Sequence, residues 1–425
     1  MIKRAIAFTT LLMLILAFGF TQEKSPNLIA IKGANIIPVK GEEISEGIIL
    51  IKDGLIEGLG KNIDIPPEAR IIEAKGLFAY PGLIDGLCFL GLSEISSLRS
   101  TIDYREIGRN NSQLKAVEAL RPESVHIPIT RANGITAVLV APTGSLIAGQ
   151  SGLIRLVGWT PEEMIIKSPV AMHIAFPSIP RRRRGRETAP PEESSKRIEE
   201  LKKILNEARY YGKRKEAARK NLLLAYPDFD ESLEFLLPVV KGELPVIISV
   251  HADKDIKAAI KFVQEEKLKA IFFGVEQAWR VAEDIKKAGI PVIFSSLYGM
   301  PPKWEDGYDG LYRNPSVLHK AGVKFAFSSS SSSLAKDLPY HAAKAAAFGL
   351  DRKEALKGVT IYPAEIFGVD HLMGSLEKGK VANIVLADGD ILELRTNIER
   401  VFIDGKEVDL SNKYTELLKK FKKRN

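Results

Sequence analysis

Tyr80–Leu92 reads YPGLIDGLCFLGL. A Pro-Gly turn leads into an apolar run carrying one acid, Asp85, and the chain's single cysteine, Cys88. A short apolar run bounded by turn residues predicts a buried strand. An acid inside such a run predicts a carboxylate satisfied by nearby backbone N–H groups, which gives Asp85 a structural role. A lone cysteine excludes an intramolecular disulfide, and its apolar setting predicts a buried, inert thiol.

Upstream, residues 28–80 read as short strands and turns: LIAIKGANIIPV, then EGIILIKDGLIEGLG with a hairpin signal at KDG. Downstream the pattern changes. GITAVLVAP is a buried strand, and LPVIISV runs into the helical DKDIKAAIKFVQEEK. LKAIFF precedes the helical EQAWRVAEDIKKAG, in which Trp279 falls at core-packing spacing, and IPVIFSSL and VKFAFSS supply further strands. Repeated strand–helix units of this size predict an α/β fold with a parallel sheet, and this many predict a TIM-type (β/α)8 barrel across 81–372. Residues 373–410 return to strands, so 28–80 and 373–410 are expected to form one composite β-sandwich domain. The tail, 411–425, holds a short basic amphipathic helix.

The formal net charge is +8, and 181–220 alone carries 15 Lys/Arg against 7 Glu, which accounts for all of it. The chain therefore has a basic insertion, not a basic surface throughout. Its concentrated patch is Arg181, Arg182, Arg183, Arg184 and Arg186, suited to an anionic surface or glycan. The glutamates that follow make the rest a solvated helix face. Tyr210, Tyr211 and Trp304 form no stacking pattern, which argues against nucleic acid. The first 21 residues have a basic start and an apolar run from Ala5 to Phe20, the layout of a signal peptide, so a periplasmic or secreted protein is expected.

The order of PGLIDG, a barrel, YPAEIFGVD, GSLEKGKVANIVLADGD and IERVFIDGKEV resembles the amidohydrolase superfamily, in particular imidazolonepropionase-like and related members. The likeness runs from about residue 28 to 410. It implies hydrolysis of C–N (non-peptide) bonds at the barrel mouth, with a divalent metal such as zinc. The ligands would be two histidines on the first strand, Lys or Glu on the fourth, one histidine each on the fifth and sixth, and Asp on the eighth. Such donors suit a borderline cation that makes its bound water acidic.

On this chain the two first-strand positions are Leu87 and Phe89. His173, in MHIAFPSIP, falls on the fourth strand, and His251, in ISVHADKD, falls on the fifth with Ser249 as an alternative alignment. Gly274 takes the sixth-strand position and Ser330 the eighth, inside the serine run Ser328–Ser333. No Gly-x-Ser-x-Gly turn surrounds that run, so a flexible loop is expected, able to offer N–H groups to an anion. His126, His319, His341 and His371 lie in helical or loop contexts and carry no assigned role. Two readings follow. One is a protein on the amidohydrolase fold whose metal site is degenerate, a pseudoenzyme or binding protein with no cofactor and a small-molecule ligand at the barrel mouth. The other is a divergent hydrolase using His173 and His251, with a divalent metal.

Overall fold

Isoleucine-rich alternation builds the first half of the β unit. Strands β1 (Leu28–Ile36) and β2 (Ile44–Lys52) pair antiparallel, and the two-residue turn Asp53-Gly54 returns the chain as β3 (Leu55–Gly60). In this computed structural model, residues 27–178, 191–300 and 304–424 are described. The expected signal segment, 1–21, and Arg181, Arg182, Arg183, Arg184 and Arg186 lie outside the described residues.

Strands β4 (Arg70–Glu73) and β5 (Phe78–Pro81) share β1, each pairing parallel with a different half of it. The chain's far end joins the same sheet. Strand β16 (Ile384–Ala387) lies antiparallel to β5, and β17 (Ile398–Ile403) and β18 (Lys406–Glu407) extend the edge. One eight-stranded sheet results, in place of two separate ones. It bends back so that Ile56 N–H donates to Lys380 O at 2.8 Å and Leu55 bridges Val381. Ile31, Ile36, Ile49, Ile51, Ile384 and Phe402 are buried inside the bend.

Pro81 ends β5, and one residue later the chain enters β6 (Leu83–Cys88), every residue of which is buried. Strands buried on both faces are near-continuous apolar runs, because helices cover one side and other strands the other. Strand β6 pairs parallel with β7 (Ile135–Val140), which pairs antiparallel with β9 (Gly152–Arg155), and β10 (Ile165–Lys167) extends that sheet. A second sheet holds β8 (Ile147–Gln150), β11 (Met172–Ala175), β12 (Val246–Val250), β13 (Ala270–Gly274), β14 (Val292–Phe294) and β15 (Phe325–Phe327). From β11 to β15 all pairs are parallel.

The parallel α/β arrangement expected from the sequence is present, but it falls into two sheets of four and six strands, not one continuous ring of ladders. The sheets meet at two seams. At one, the extended segment β8–β9 passes from one sheet to the other, and Ser151 N–H donates to Ala171 O at 2.9 Å. At the other, Ser330 N–H donates to Leu87 O at 3.0 Å. Gly86 permits this approach, since a Cβ there would sit 2.7 Å from Phe327 O. An inner apolar core fills the space enclosed by both sheets. Its members include Ile84, Leu87, Leu139, Leu153, Ile247 and Ile293.

Two long helices stand outside: Asp253–Glu266, following β12, and Pro191–Lys220, following β11. The helix expected at the tail spans Lys413–Lys422. Among the described residues no helix is long and apolar enough to cross a membrane.

Candidate functional site at the strand ends

Strand alternation sorts the residues of the expected site. On β12, Val246 and Ile248 face the outer core and Ile247 the inner one. His173 on β11 is in register with Ile247, so it too faces inward. It is 4% exposed, and burial alone pushes its imidazole down to about 3, so the ring is neutral. Its Nε2 has no hydrogen-bond partner. His251 lies four residues past Ile247, about 13 Å further along at the usual rise per strand residue. It is half-exposed just beyond β12, with Nδ1 3.5 Å from Glu276 Oε1. The two histidines therefore sit at different depths, one in the core and one at the rim.

The positions expected to have lost ligands are occupied in distinct ways. Leu87 is 3% exposed and belongs to the inner core. Phe89 packs on the same core and stacks on Tyr104, ring centroids 4.2 Å apart and planes at 24°. Tyr104 comes from the segment after β6, which thus folds back over the end of its own strand. Gly274 has φ +95°, and a Cβ there would meet His251 Cε1 at 2.6 Å and Val250 O at 2.9 Å. The His251 ring packs where a sixth-strand side chain would begin. Ser330 has φ +53°, and its Oγ lies 2.8 Å from Ser328 Oγ.

Asp85 is the most constrained polar group. It is fully buried on β6. Its Oδ1 accepts from Leu87 N–H at 3.1 Å and from Ser329 N–H at 3.0 Å, and its Oδ2 accepts from Ser329 Oγ at 2.5 Å. Desolvation pushes its carboxyl up to about 7, against the downward pull of the Ser329 and Leu87 hydrogen bonds. The backbone bonds are those expected of a buried strand acid. Ser329 as its hydroxyl partner was not foreseen, because the family alignment draws attention to Ser330 one residue on. The available signal was a buried acid on one strand and a hydroxyl-rich run directly after another.

That run is not a flexible loop in its first half. Ser328 and Ser329 are buried, Ser328 Oγ donates to Phe294 O at 2.8 Å, and Phe89 N–H donates to Ser331 O at 3.4 Å. Its N–H groups on Ser329 and Ser330 are spent on Asp85 and Leu87. Cys88 is fully buried, and burial pushes its thiol well above the usual range, which makes it unreactive. His341 also proves structural: it is buried, and its Nδ1 accepts from Leu297 N–H at 3.1 Å. Trp279 is half-buried against the outer core, with the Arg280 guanidinium 4.2 Å from its ring centroid.

Of the expected ligand positions, only His173 and His251 carry a ring nitrogen. Leu87 and Phe89 offer no donor atom, Gly274 no side chain, and Ser330 a hydroxyl already bonded. The His173 and His251 nitrogens would each have to lie about 2 Å from one ion. Among the described residues no three His, Cys, Asp or Glu side chains converge into a metal-holding group. A cleft of about 550 Å³, lined by Tyr298, Tyr340, Lys344, Leu350, Arg352 and Leu394 among others, includes none of these site residues in its lining.

Comparison with known proteins places this geometry. Residues 199–408 match the model of the amidohydrolase family. The chain is 22% identical over 386 residues to an amidohydrolase of Hapsidospora irregularis, covering 84% of this chain and 39% of that protein. It is 24% identical over 417 residues to an adenine deaminase of Desulforamulus reducens, covering 92% and 59%. The chain thus spans less than two thirds of the length of either curated relative. A crystal structure of an amidohydrolase from Thermotoga maritima superposes with a TM-score of 0.80 at 25% identity, covering 90% of this chain and 99% of that one.

Proposed function

The chain belongs to the amidohydrolase superfamily, and from that premise we propose that it is a binding or interaction protein on this fold, without metal-dependent hydrolysis. The two sheets form the staves of one closed eight-stave barrel, with β8–β9 as a single reversed stave. The observation that carries the functional reading is Leu87. It occupies a first-strand ligand position and is packed into the inner core at 3% exposure. A leucine there supplies no donor, and it replaces the polar surroundings that hold a dication with apolar ones.

Asp85 supports the same reading. Both of its oxygens already accept from the protein, Oδ1 from the Leu87 and Ser329 N–H groups and Oδ2 from Ser329 Oγ, so it serves the seam between β6 and β15. A small-molecule ligand remains the expected occupant of the barrel mouth, beside His251 and Glu276. The test is zinc titration followed by thermal denaturation. A ligand that binds only the native state raises the midpoint. No rise at zinc concentrations in the micromolar range is expected, and a saturable rise would overturn the proposal.

The half-exposed His251 with Glu276 at 3.5 Å favours one second reading, a divergent hydrolase acting at the rim. Substitution of His251 and of His173 by alanine tests it. Any C–N hydrolysis that survives both substitutions excludes these histidines as its source.

A further inference from the structure

The C-terminal helix Lys413–Lys422 buries none of its residues. It is nonetheless a well-defined helix. Asn412 and Thr415 form a reciprocal capping box, with Asn412 Oδ1 accepting from Tyr414 and Thr415 N–H, and Thr415 Oγ1 accepting from Asn412 N–H at 2.9 Å. Its root is anchored: Val408 and Leu410 pack on the outer core, and Val408 N–H donates to Val401 O at 2.9 Å. The helix is thus a fixed projection.

Its apolar residues are Tyr414, Leu417, Leu418 and Phe421, spaced i, i+3, i+4 and i+7, which places them in one stripe. They are 55%, 38%, 54% and 50% exposed, so nothing among the described residues covers the stripe. Residues 413–424 also hold six basic side chains, Lys413, Lys419, Lys420, Lys422, Lys423 and Arg424, against the single acid Glu416. On a helical wheel Lys422 borders the stripe on one side and Lys413, Lys420 and Arg424 border it on the other. The Arg424 guanidinium sits 4.7 Å from the Phe421 ring centroid.

An apolar stripe flanked on both sides by cations is the arrangement of a helix lying in a membrane interface, rings and leucines towards the acyl chains and ammonium groups among anionic headgroups. We propose that Lys413–Lys422 docks this protein onto an anionic lipid surface. A second copy of the chain is disfavoured as the occupant, because pairing two such stripes would bring the flanking cations of both together. An anionic bilayer instead satisfies both the apolar stripe and its cationic border.

The test is flotation of the full chain on vesicles of phosphatidylcholine alone and of phosphatidylcholine with phosphatidylglycerol. Three forms are compared: the natural chain, Leu418→Ser with Phe421→Ser, and Lys419→Gln with Lys420→Gln and Lys422→Gln. All three share the apolar segment of residues 5–20, so the helix is read from the difference between the natural chain and each variant and from the difference between the two vesicle types. The substituted side chains are exposed or on a helix without buried residues, so each variant is expected to fold as the natural chain does, which its thermal midpoint checks. The natural chain is expected to partition onto the anionic vesicles, and each variant to lose more than about tenfold of that partitioning, with the natural chain's binding falling as salt rises. Absence of binding, equal binding to both vesicle types, or a loss confined to the lysine variant, which would mean that the apolar stripe does not enter the bilayer, overturns the proposal. So does a dimer in solution that the Leu418→Ser, Phe421→Ser form splits.

Discussion

Ser329 holds Asp85 from a different strand: its N–H reaches Oδ1 at 3.0 Å and its Oγ reaches Oδ2 at 2.5 Å. The bond ties β6 to the end of β15, at the seam where the two sheets meet through Ser330 and Leu87. The carboxyl is fully buried, and desolvation pushes its folded value from 3.8 up to about 7.

The sign of the resulting pH dependence follows from proton counts. Between about pH 4 and 7 the folded chain holds the Asp85 proton and the unfolded chain has released it, so this group's contribution falls as pH rises. The contribution is fully present below pH 4 and lost by pH 7, a change on the order of 4 kcal/mol for three pH units. Asp85→Asn keeps an oxygen for the two N–H donors and removes the titration. Its stability relative to the natural chain should rise from pH 4 to 7 and then level off, measured by urea denaturation at a series of pH values.

His173 acts in the opposite direction. Its folded value is lowered from 6.5 to about 3, so its contribution is complete above pH 6.5 and is lost as pH falls towards 3. His173→Leu removes that loss along with the unpartnered Nε2. The variant should gain stability relative to the natural chain below pH 6, and be equal or more stable by about 1 kcal/mol at pH 7. The comparison has to be made variant against natural chain at each pH, because Asp85 and His173 partly cancel in the total.

Leu87→Ala empties part of the inner core and should cost about 2–5 kcal/mol in thermal or chemical denaturation. Phe89→Ala removes a half-buried ring and its stack on Tyr104, and a smaller loss of about 1–3 kcal/mol is expected. Equal and negligible losses at both positions would mean that these residues do not plug the strand ends.

Gly274→Ala should destabilise by about 1–3 kcal/mol, since φ +95° is strained for alanine and its Cβ would press on the His251 ring. Adding His251→Ala removes part of that clash. The double variant should therefore be more stable than the two separate losses predict, a coupling that a double-mutant cycle reads directly.

Much of the architecture was legible because periodicity and turn chemistry are local. PGLIDG marks the passage from sheet to buried strand, and the Asp53-Gly54 hairpin falls where KDG placed it. The replaced positions Leu87, Phe89, Gly274 and Ser330 were visible as residue types. What each does was not, because it depends on neighbours from other strands. Gly274 is glycine because the ring of His251 lies over it. Asp85 needed a donor across the seam, and which serine of six supplied it depended on the turn after β15. The different depths of His173 and His251 likewise arise from the register of β11 on β12, which a single sequence does not reveal.

The central claim is that these strand ends hold no catalytic dication. Elemental analysis of protein purified without chelators, paired with amide and aminopurine hydrolysis assays before and after chelator treatment, tests it most directly. The account predicts zinc, manganese and iron each well below one equivalent per chain, and no hydrolysis that a chelator changes. Near one equivalent of a tightly held metal, with hydrolysis that a chelator abolishes and the metal restores, would contradict it.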